Sequence, residues 1–182
     1  MGIPTLAIAM QLHVPSATYP TIQLAINLSN DDDQILIAPG TYFEHLIITK
    51  SITLTVDKSE KPGKVIINGG GQGRVIEIKA SNVTISDLDI TYSGEEVGKT
   101  DACIYVYKEA RKVNVSNNRL SRCAFGIWVN GSKQIKIKGN TITGVKRKFF
   151  SDQGNGINIW SVDDAVVEYN DISNVRDGIY LT

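Results

Sequence analysis

The chain has 182 residues, of which 42% are hydrophobic and 21% are charged. Its 19 basic and 19 acidic residues cancel, so no net field draws it toward nucleic acid or an anionic membrane. Nucleic-acid partners are therefore not expected. No stretch of the sequence approaches the ~20 apolar residues of a membrane span, so the chain is not expected to span a membrane.

The N-terminal segment, residues 1–17, allows two interpretations. An apolar run ends in Ala7, Ile8 and Ala9, the small-x-small pattern of a signal-peptide cleavage site, but no Lys or Arg precedes it. The segment is thus either the remnant of a signal peptide or a flexible N-terminus. The remainder, residues 18–182, is predicted to form one domain.

A single helix is predicted over residues 19–28. Pro20 is tolerated in a first turn, and Ile22, Ala25 and Ile26 share one face at helical spacing. Such a helix, placed before the first strand, would cover the open end of a stack of strands, whose backbone otherwise invites pairing.

The rest of the chain predicts an all-β fold. Short runs rich in Ile and Val, closed by Gly, Asn, Asp or Ser, occupy residues 35–37, 46–48, 52–54, 65–67 and 75–78. One strand is then repeated four times, at residues 104–106, 126–129, 156–159 and 178–181, and a second recurs between the copies. Repeats of this kind bury their apolar faces only by stacking on one another.

The repeat spacing predicts a right-handed parallel β-helix. Asn118 and Asn140 are 22 residues apart, and Asn140 and Asn170 are 30 apart, so alternate coils carry insertions of about eight residues. Stacking at about 4.8 Å per coil would align Ile104, Ile127, Ile157 and Ile179, and also Val106, Val129, Ile159 and Leu181, in inward columns. The chain ends on a repeat strand, so we expect an uncapped C-terminal end and the N-terminal part of a longer protein.

The two insertions, residues 91–101 and 143–155, fall at equivalent positions and are predicted to overhang one flank. The second contains the basic cluster Lys146, Arg147 and Lys148, followed by Phe149 and Phe150. The Phe pair either docks onto another surface or tucks into a solvated loop tip, and the second interpretation is favoured.

The strands that follow these insertions present a row of outward residues, because side chains alternate along a strand. These candidate site residues are Tyr105, Tyr107, Trp128, Asn130, Asn158, Trp160 and Tyr180. Exposed, they would form a platform for sugar rings or a protein partner. Alternatively, the two loops fold over them and bury them as a secondary core.

Other residue clusters favour structural roles. Asn118, Asn140 and Asn170 lie at chain bends, where Asn tolerates left-handed backbone and stacked amides can bond to one another. Extending the strand geometry places Cys103 and Cys123 about 10 Å apart, too far for a bond, so two structural thiols are predicted.

No catalytic pair and no metal site is predicted. The candidate acidic residues fall at different offsets within the coil: Asp87, Asp89, Asp163, Asp164 and Asp177. The potential soft ligands are scattered: His13, His45, Met1, Met10, Cys103 and Cys123.

Several sequence motifs in the chain resemble those of known families. The motifs at residues 20–26, 35–42 and 65–71 are similar to the N-terminal signature of the pectate-lyase-like β-helix superfamily. The motifs at residues 125–128, 139–142, 154–160 and 176–181 resemble the NosD family of exported accessory proteins in nitrous-oxide reductase maturation.

The resemblance implies a periplasmic or otherwise extracellular scaffold that acts with an ABC transporter in assembling the copper centre of the reductase. ABC transporter components, the reductase or a copper chaperone would be its partners. The family is described as copper-binding, but this sequence shows no set of residues that would bind copper, so copper is implied by the resemblance alone. A polysaccharide-binding or polysaccharide-cleaving β-helix (lyase, hydrolase or epimerase) remains the alternative.

Overall fold

The computed structural model describes residues 9–149 and 152–182, which form nineteen short strands, one helix and one 3₁₀ turn. The helix α1 spans Ile22–Leu28, and the 3₁₀ turn spans Val97–Lys99. The first nine strands are β1 (Gln11–Val14), β2 (Gln34–Ile37), β3 (Gly40–Tyr42), β4 (Leu46–Ile48), β5 (Thr53–Val56), β6 (Val65–Asn68), β7 (Ile76–Ile78), β8 (Thr84–Ser86) and β9 (Asp89–Thr91). The others are β10 (Ala102–Val106), β11 (Arg111–Ser116), β12 (Arg119–Ser121), β13 (Phe125–Asn130), β14 (Lys133–Lys138), β15 (Thr141–Thr143), β16 (Ile157–Trp160), β17 (Asp163–Glu168), β18 (Asp171–Ser173) and β19 (Ile179–Leu181).

These strands form three parallel sheets. Sheet I has seven strands in the order β1-β2-β5-β8-β11-β14-β17, sheet II runs β3-β6-β9-β12-β15-β18, and sheet III runs β4-β7-β10-β13-β16-β19. From β2 onward the chain visits sheets I, II and III in turn, so each coil contributes one strand to every sheet. This is the predicted parallel β-helix, with three short strands per coil.

The register places the predicted columns in the core. Ile104 pairs with Ile127, which pairs with Ile157, and Val106 pairs with Val129. These side chains are fully buried between the three sheets. In the last coil, Ile179 and Leu181 continue the columns and are exposed. Because the side-chain period of a strand is two, this register also fixes which residues face outward.

Helix α1 covers the edge of sheet III, as predicted. Thr21 caps its first turn by accepting from the Leu24 amide, and the Glu44 carboxylate accepts from the amides of Ile22 and Gln23. The Gln23 side chain then pairs with both backbone groups of Ile47 on the edge strand β4. The helix therefore supplies hydrogen bonds that a neighbouring strand would otherwise make.

Strand β1 lies within the segment predicted to be a signal remnant or a flexible terminus. It pairs in parallel with β2, burying Leu12 and Val14. The polar alternation of its four residues is too short to distinguish from a loop in the sequence. Residues 3–8 of the apolar run, and Phe150, lie outside the described residues.

Asparagine side chains form a buried ladder at the bend between sheets I and II. The Asn140 Oδ1 atom accepts from the backbone and side-chain amides of Asn118, at 3.0 and 3.1 Å. The Asn170 Oδ1 atom accepts from the backbone and side-chain amides of Asn140 in the same way, at 2.9 and 3.0 Å. The structural role is confirmed, but the left-handed residues are the ones that precede the ladder, namely Asn117, Gly139 and Tyr169.

The prediction of two free thiols is wrong, because Cys103 and Cys123 form a buried disulfide with a Cα–Cα distance of 5.5 Å. The 10 Å expectation assumed that Cys123 continues a straight strand. Instead it lies in the corner between β12 and β13, where Arg122 adopts a left-handed backbone conformation and turns the chain. The turn brings Cys123 beside the preceding coil.

Replacing Asn140 by Ala should lower the free energy of unfolding by about 2 kcal/mol or more, because buried amides of Asn118 lose their acceptor. Urea denaturation measures the change. Asn114→Ala is the control, since Asn114 faces outward from sheet I with only a long 3.4 Å hydrogen bond. Equal losses in the two variants would contradict the structural role of the ladder.

Removing the disulfide by replacing both cysteines with Ala should cost about 3 kcal/mol, as expected for a crosslink that closes a loop of this size. The two cysteines are 20 residues apart in sequence. Urea unfolding of the oxidised protein, with and without reductant, measures the effect, and the double variant should not respond to reductant. A wild-type protein that is also indifferent to reductant would exclude the crosslink.

Candidate partner-binding face

The two long loops lie at one corner of the coil, as predicted. Residues 92–101 and 144–156 both connect sheet II to sheet III, and residues 69–75 make the same connection one coil earlier. Arg147 in the last loop forms a 2.8 Å ion pair with Glu95 in the middle one. The amide of Gly94 donates to the carbonyl of Gly73, so the three loops form a continuous wall beside sheet III.

The outward residues of sheet III line up in two rows. Tyr105 pairs with Trp128, Trp128 with Asn158, and Asn158 with Tyr180. In the second row Asn130 pairs with Trp160, and Tyr107 follows directly after β10. All seven predicted site residues therefore lie on this sheet face, which we call the aromatic face.

One end of the aromatic face is covered by Arg74. Its guanidinium lies 3.6 Å from the centre of the Tyr105 ring and donates to the Tyr107 hydroxyl at 2.8 Å and to the Thr100 hydroxyl at 2.6 Å. Tyr105 is consequently only 6% exposed. Here the loops and Arg74 make the secondary core that was the alternative to an open platform.

The same cluster controls the ionisation of Tyr107. Its hydroxyl donates to Glu77, which lies 3.4 Å from Arg74. Burial, followed by the hydrogen bond to Glu77, raises the pKa of Tyr107 to about 12. The amide of Asn130 donates to the Tyr105 hydroxyl at 3.0 Å. Polar groups at this end are thus satisfied internally, leaving little for a ligand to bind.

The centre of the face is half covered. The Trp128 ring is partly buried and parallel to that of Tyr105, with centroids 6.5 Å apart, and the buried Phe125 ring packs against its edge at 4.7 Å. Asn158, expected to face outward, is 2% exposed and accepts from the Asn155 side chain. The 144–156 loop supplies that contact.

The other end of the face is open. Trp160 is 50% exposed, and Tyr180 is 40% exposed on β19, the last strand, where Ile179 and Leu181 are exposed as well. The prediction of an aromatic platform therefore divides in two: Tyr105 and Asn158 are buried and Tyr107 is partly buried against Arg74, while the rings of Trp160 and Tyr180, with the partly buried Trp128, remain accessible. We call these three rings the open aromatic patch.

The basic cluster of the last loop is arranged differently from the favoured interpretation. Arg147 is used in the ion pair with Glu95, and Phe149 is exposed rather than tucked in, with the Lys148 ammonium 5.3 Å from its ring centre. Within residues 9–149 and 152–182, the Phe149 ring makes no ring–ring contact with the aromatic face.

The candidate carboxylates do not converge on the aromatic face. Asp87 and Asp89 pair with Lys58 and Lys64, Asp163 pairs with Lys133 on sheet I, and Asp177 pairs with its neighbour Arg176. Within the described residues, no group of three or more His, Cys, Asp or Glu side chains could hold a metal ion. None of the described helices is long and apolar enough to cross a membrane.

Sequence reasoning missed Arg74, Glu77 and Phe125, which decide how much of the face is accessible. Glu77 could have been found, because it precedes Tyr105 in the same outward row. Arg74 could not, since its position over Tyr105 depends on the path of the 69–75 loop.

Comparison with known proteins agrees with this architecture. Residues 65–182 match the family described as "Right handed beta helix region". The chain belongs to this family. Among curated relatives is the "Probable ABC transporter binding protein NosD" of Pseudomonas aeruginosa, 27% identical over 150 residues, which are 82% of this chain and 34% of that protein. The protein of the same name from Stutzerimonas stutzeri is 33% identical over 118 residues, covering 65% and 27% of the two chains. The chain thus spans about a third of the length of the curated relatives it matches, and it is a NosD-like β-helix protein.

Solved structures share the fold. A rhamnogalacturonan lyase aligns with a TM-score of 0.76 at 15% identity, over 95% of this chain and 53% of the lyase. A pectin methylesterase aligns with a TM-score of 0.50 at 14% identity, over 90% and 66% of the two chains. At these identities the likeness concerns the β-helix alone.

Tyr107 should be recognisable in an alkaline titration followed by tyrosine absorbance. Because the fold raises its pKa to about 12, the neutral phenol contributes stability that is present below pH ~10 and is lost as the pH rises through 12. Tyr107→Phe should remove the component near pH 12, and Tyr169→Phe should leave it in place. A titration that is the same in Tyr107→Phe and wild type would contradict the cluster.

Proposed function

We propose that this chain is a non-enzymatic scaffold that binds a protein partner through the open aromatic patch of sheet III. The observation that carries the proposal is the exposed ring of Trp160, beside the partly buried Trp128. Large aromatic rings on a rigid sheet bury much area on binding at little cost in side-chain entropy, and Trp and Tyr are enriched among residues that dominate interface energies.

An ABC transporter component is the partner that the relatives favour, because both NosD proteins are named as binding one. By the same resemblance, the scaffold would act in maturation of the copper centre of nitrous-oxide reductase, with the reductase or a copper chaperone as a further partner. The described residues offer no metal cluster, and both cysteines are consumed by the disulfide. Copper enters the proposal through the resemblance alone.

Export to the periplasm or outside the cell is part of the proposal. Disulfides form and persist in oxidising compartments and are rare in the reducing cytosol. The buried Cys103–Cys123 bond supports such a compartment, and it does so independently of the NosD resemblance.

The test is binding of the purified chain to the ABC transporter components of its own organism, measured by biolayer interferometry. Trp160→Ala should raise the Kd about tenfold or more, as for a central interface Trp. Tyr169→Ala is the control, because Tyr169 is 80% exposed but lies at the bend between sheets I and II.

Two outcomes would contradict the proposal. Transporter binding that Trp160→Ala leaves unchanged would remove the open aromatic patch from the interface. Saturable binding or cleavage of oligogalacturonate that is lost in Trp160→Ala, without any transporter binding, would instead support a polysaccharide-directed β-helix.

A further inference from the structure

A second surface, distinct from the open aromatic patch, runs along the loop corner outside sheet III. A cavity of about 510 Å³ lies between the loops and is lined by Gly70, Tyr92, Arg122 and Val145, among others. A smaller one of about 190 Å³ is lined by Phe43, His45 and again Gly70. Both cavities are lined by Gly70, so they adjoin along this corner, and we call the two together the corner groove.

Tyr92 is held in a fixed position in this groove. Its backbone is left-handed, with φ of 67°, and its ring lies close to Gly71, where an added Cβ would be 3.3 Å from a ring carbon. The Arg122 guanidinium lies 5.8 Å from the ring centre. The ring remains 44% exposed. The same left-handed conformation recurs at Arg122, the equivalent corner residue of the next coil, so the repeated turn fixes where both side chains project.

Arg122 gives the groove an unused positive charge. It lies one coil beyond Tyr92, whose amide donates to the carbonyl of Ser121. Across residues 9–149 and 152–182, Arg122 is in no ion pair, and the charge of Glu95, which also lines the larger cavity, is already paired with Arg147. A guanidinium in this state binds a carboxylate through two parallel hydrogen bonds.

The other end of the groove offers an acceptor and an apolar surface. The His45 Nδ1 atom lies 2.7 Å from the carbonyl oxygen of Arg74 and must donate to it, so in the neutral ring Nε2 is an acceptor. Phe43 beside it is among the most exposed large hydrophobic side chains. The groove therefore presents, in order, an apolar ring, an acceptor, a second ring and a cation.

We propose that the corner groove binds an extended acidic peptide segment of the protein partner. A peptide supplies all the required groups: an apolar side chain for Phe43, a backbone N–H for His45 and a carboxylate for Arg122. A uronic-acid sugar supplies the carboxylate and hydroxyls but no apolar side chain. Five successive coils contribute to the groove, a length of about 19 Å that matches about six residues of extended chain. This inference rests on the proposed function, whose partner is a protein.

The probe is a fluorescent hexapeptide of alternating Phe and Glu with blocked ends, titrated into the full chain and followed by anisotropy. We expect saturable binding, and no binding when Lys replaces Glu in the peptide. Arg122→Gln and Tyr92→Asn should each weaken binding about tenfold. Asn accepts left-handed backbone, so Tyr92→Asn removes the ring without adding strain.

Two matched controls should bind the peptide as wild type does. Tyr169→Asn removes another exposed, left-handed Tyr with a cation near its ring, that of Lys138 at 5.2 Å. Arg119→Gln removes an exposed Arg from β12 outside the groove. Circular dichroism and urea unfolding establish that every variant is folded.

The inference is overturned if the Glu peptide does not bind, if the Lys peptide binds equally, or if Arg122→Gln and Tyr92→Asn bind normally. It is also overturned if tetragalacturonate binds at Arg122 and the peptide does not. Transporter binding that depends on Trp160, without peptide binding, would reject the groove alone. Peptide binding without transporter binding would reject the proposed partner instead.

Discussion

Parallel backbone pairing in register is the constraint on which every other feature of this protein depends. Each coil must place its three strands about 4.8 Å from those of the coil before it, and the hydrogen-bond ladders allow only whole-residue shifts. A shift of one residue would turn the Ile and Val columns outward. The buried columns and the Asn118–Asn140–Asn170 ladder select the same register, one through apolar burial and the other through amide hydrogen bonds.

The same register determines the outer surface. It stacks the outward residues of sheet III into rows and brings the loops between sheets II and III to one corner, which gives a flat aromatic face with a loop wall at its side. Arg74 closes part of the face, because its guanidinium lies over the Tyr105 ring and donates hydrogen bonds to the hydroxyls of Tyr107 and Thr100. What remains accessible is divided between the open aromatic patch and the corner groove, and both lie on a rigid scaffold that needs little reorganisation to bind.

Much of this architecture could be predicted from the sequence, because the number of residues between repeats determines where each residue lies in its coil. The inward columns, the covering helix, the corner shared by the two long loops and the seven outward residues all follow from the period of the coils. The disulfide was missed because strand geometry was extended through a corner where Arg122 turns the chain. The repeat also could not predict that Tyr105 and Asn158 are covered, because the Arg74 side chain and the 144–156 loop that cover them each occur only once. Repetition predicts where a residue lies, whereas unique loops decide whether it is accessible.

Hydrogen–deuterium exchange, with and without the ABC transporter components, tests most directly whether partner binding is confined to this flank. Backbone amides of β13 and β16 and of the loops between sheets II and III should gain protection on binding, while those of sheet I should not change. Protection concentrated on the outer strands of sheet I, or no protection anywhere at saturating transporter, would contradict a scaffold that binds its partner through sheet III and its loop corner.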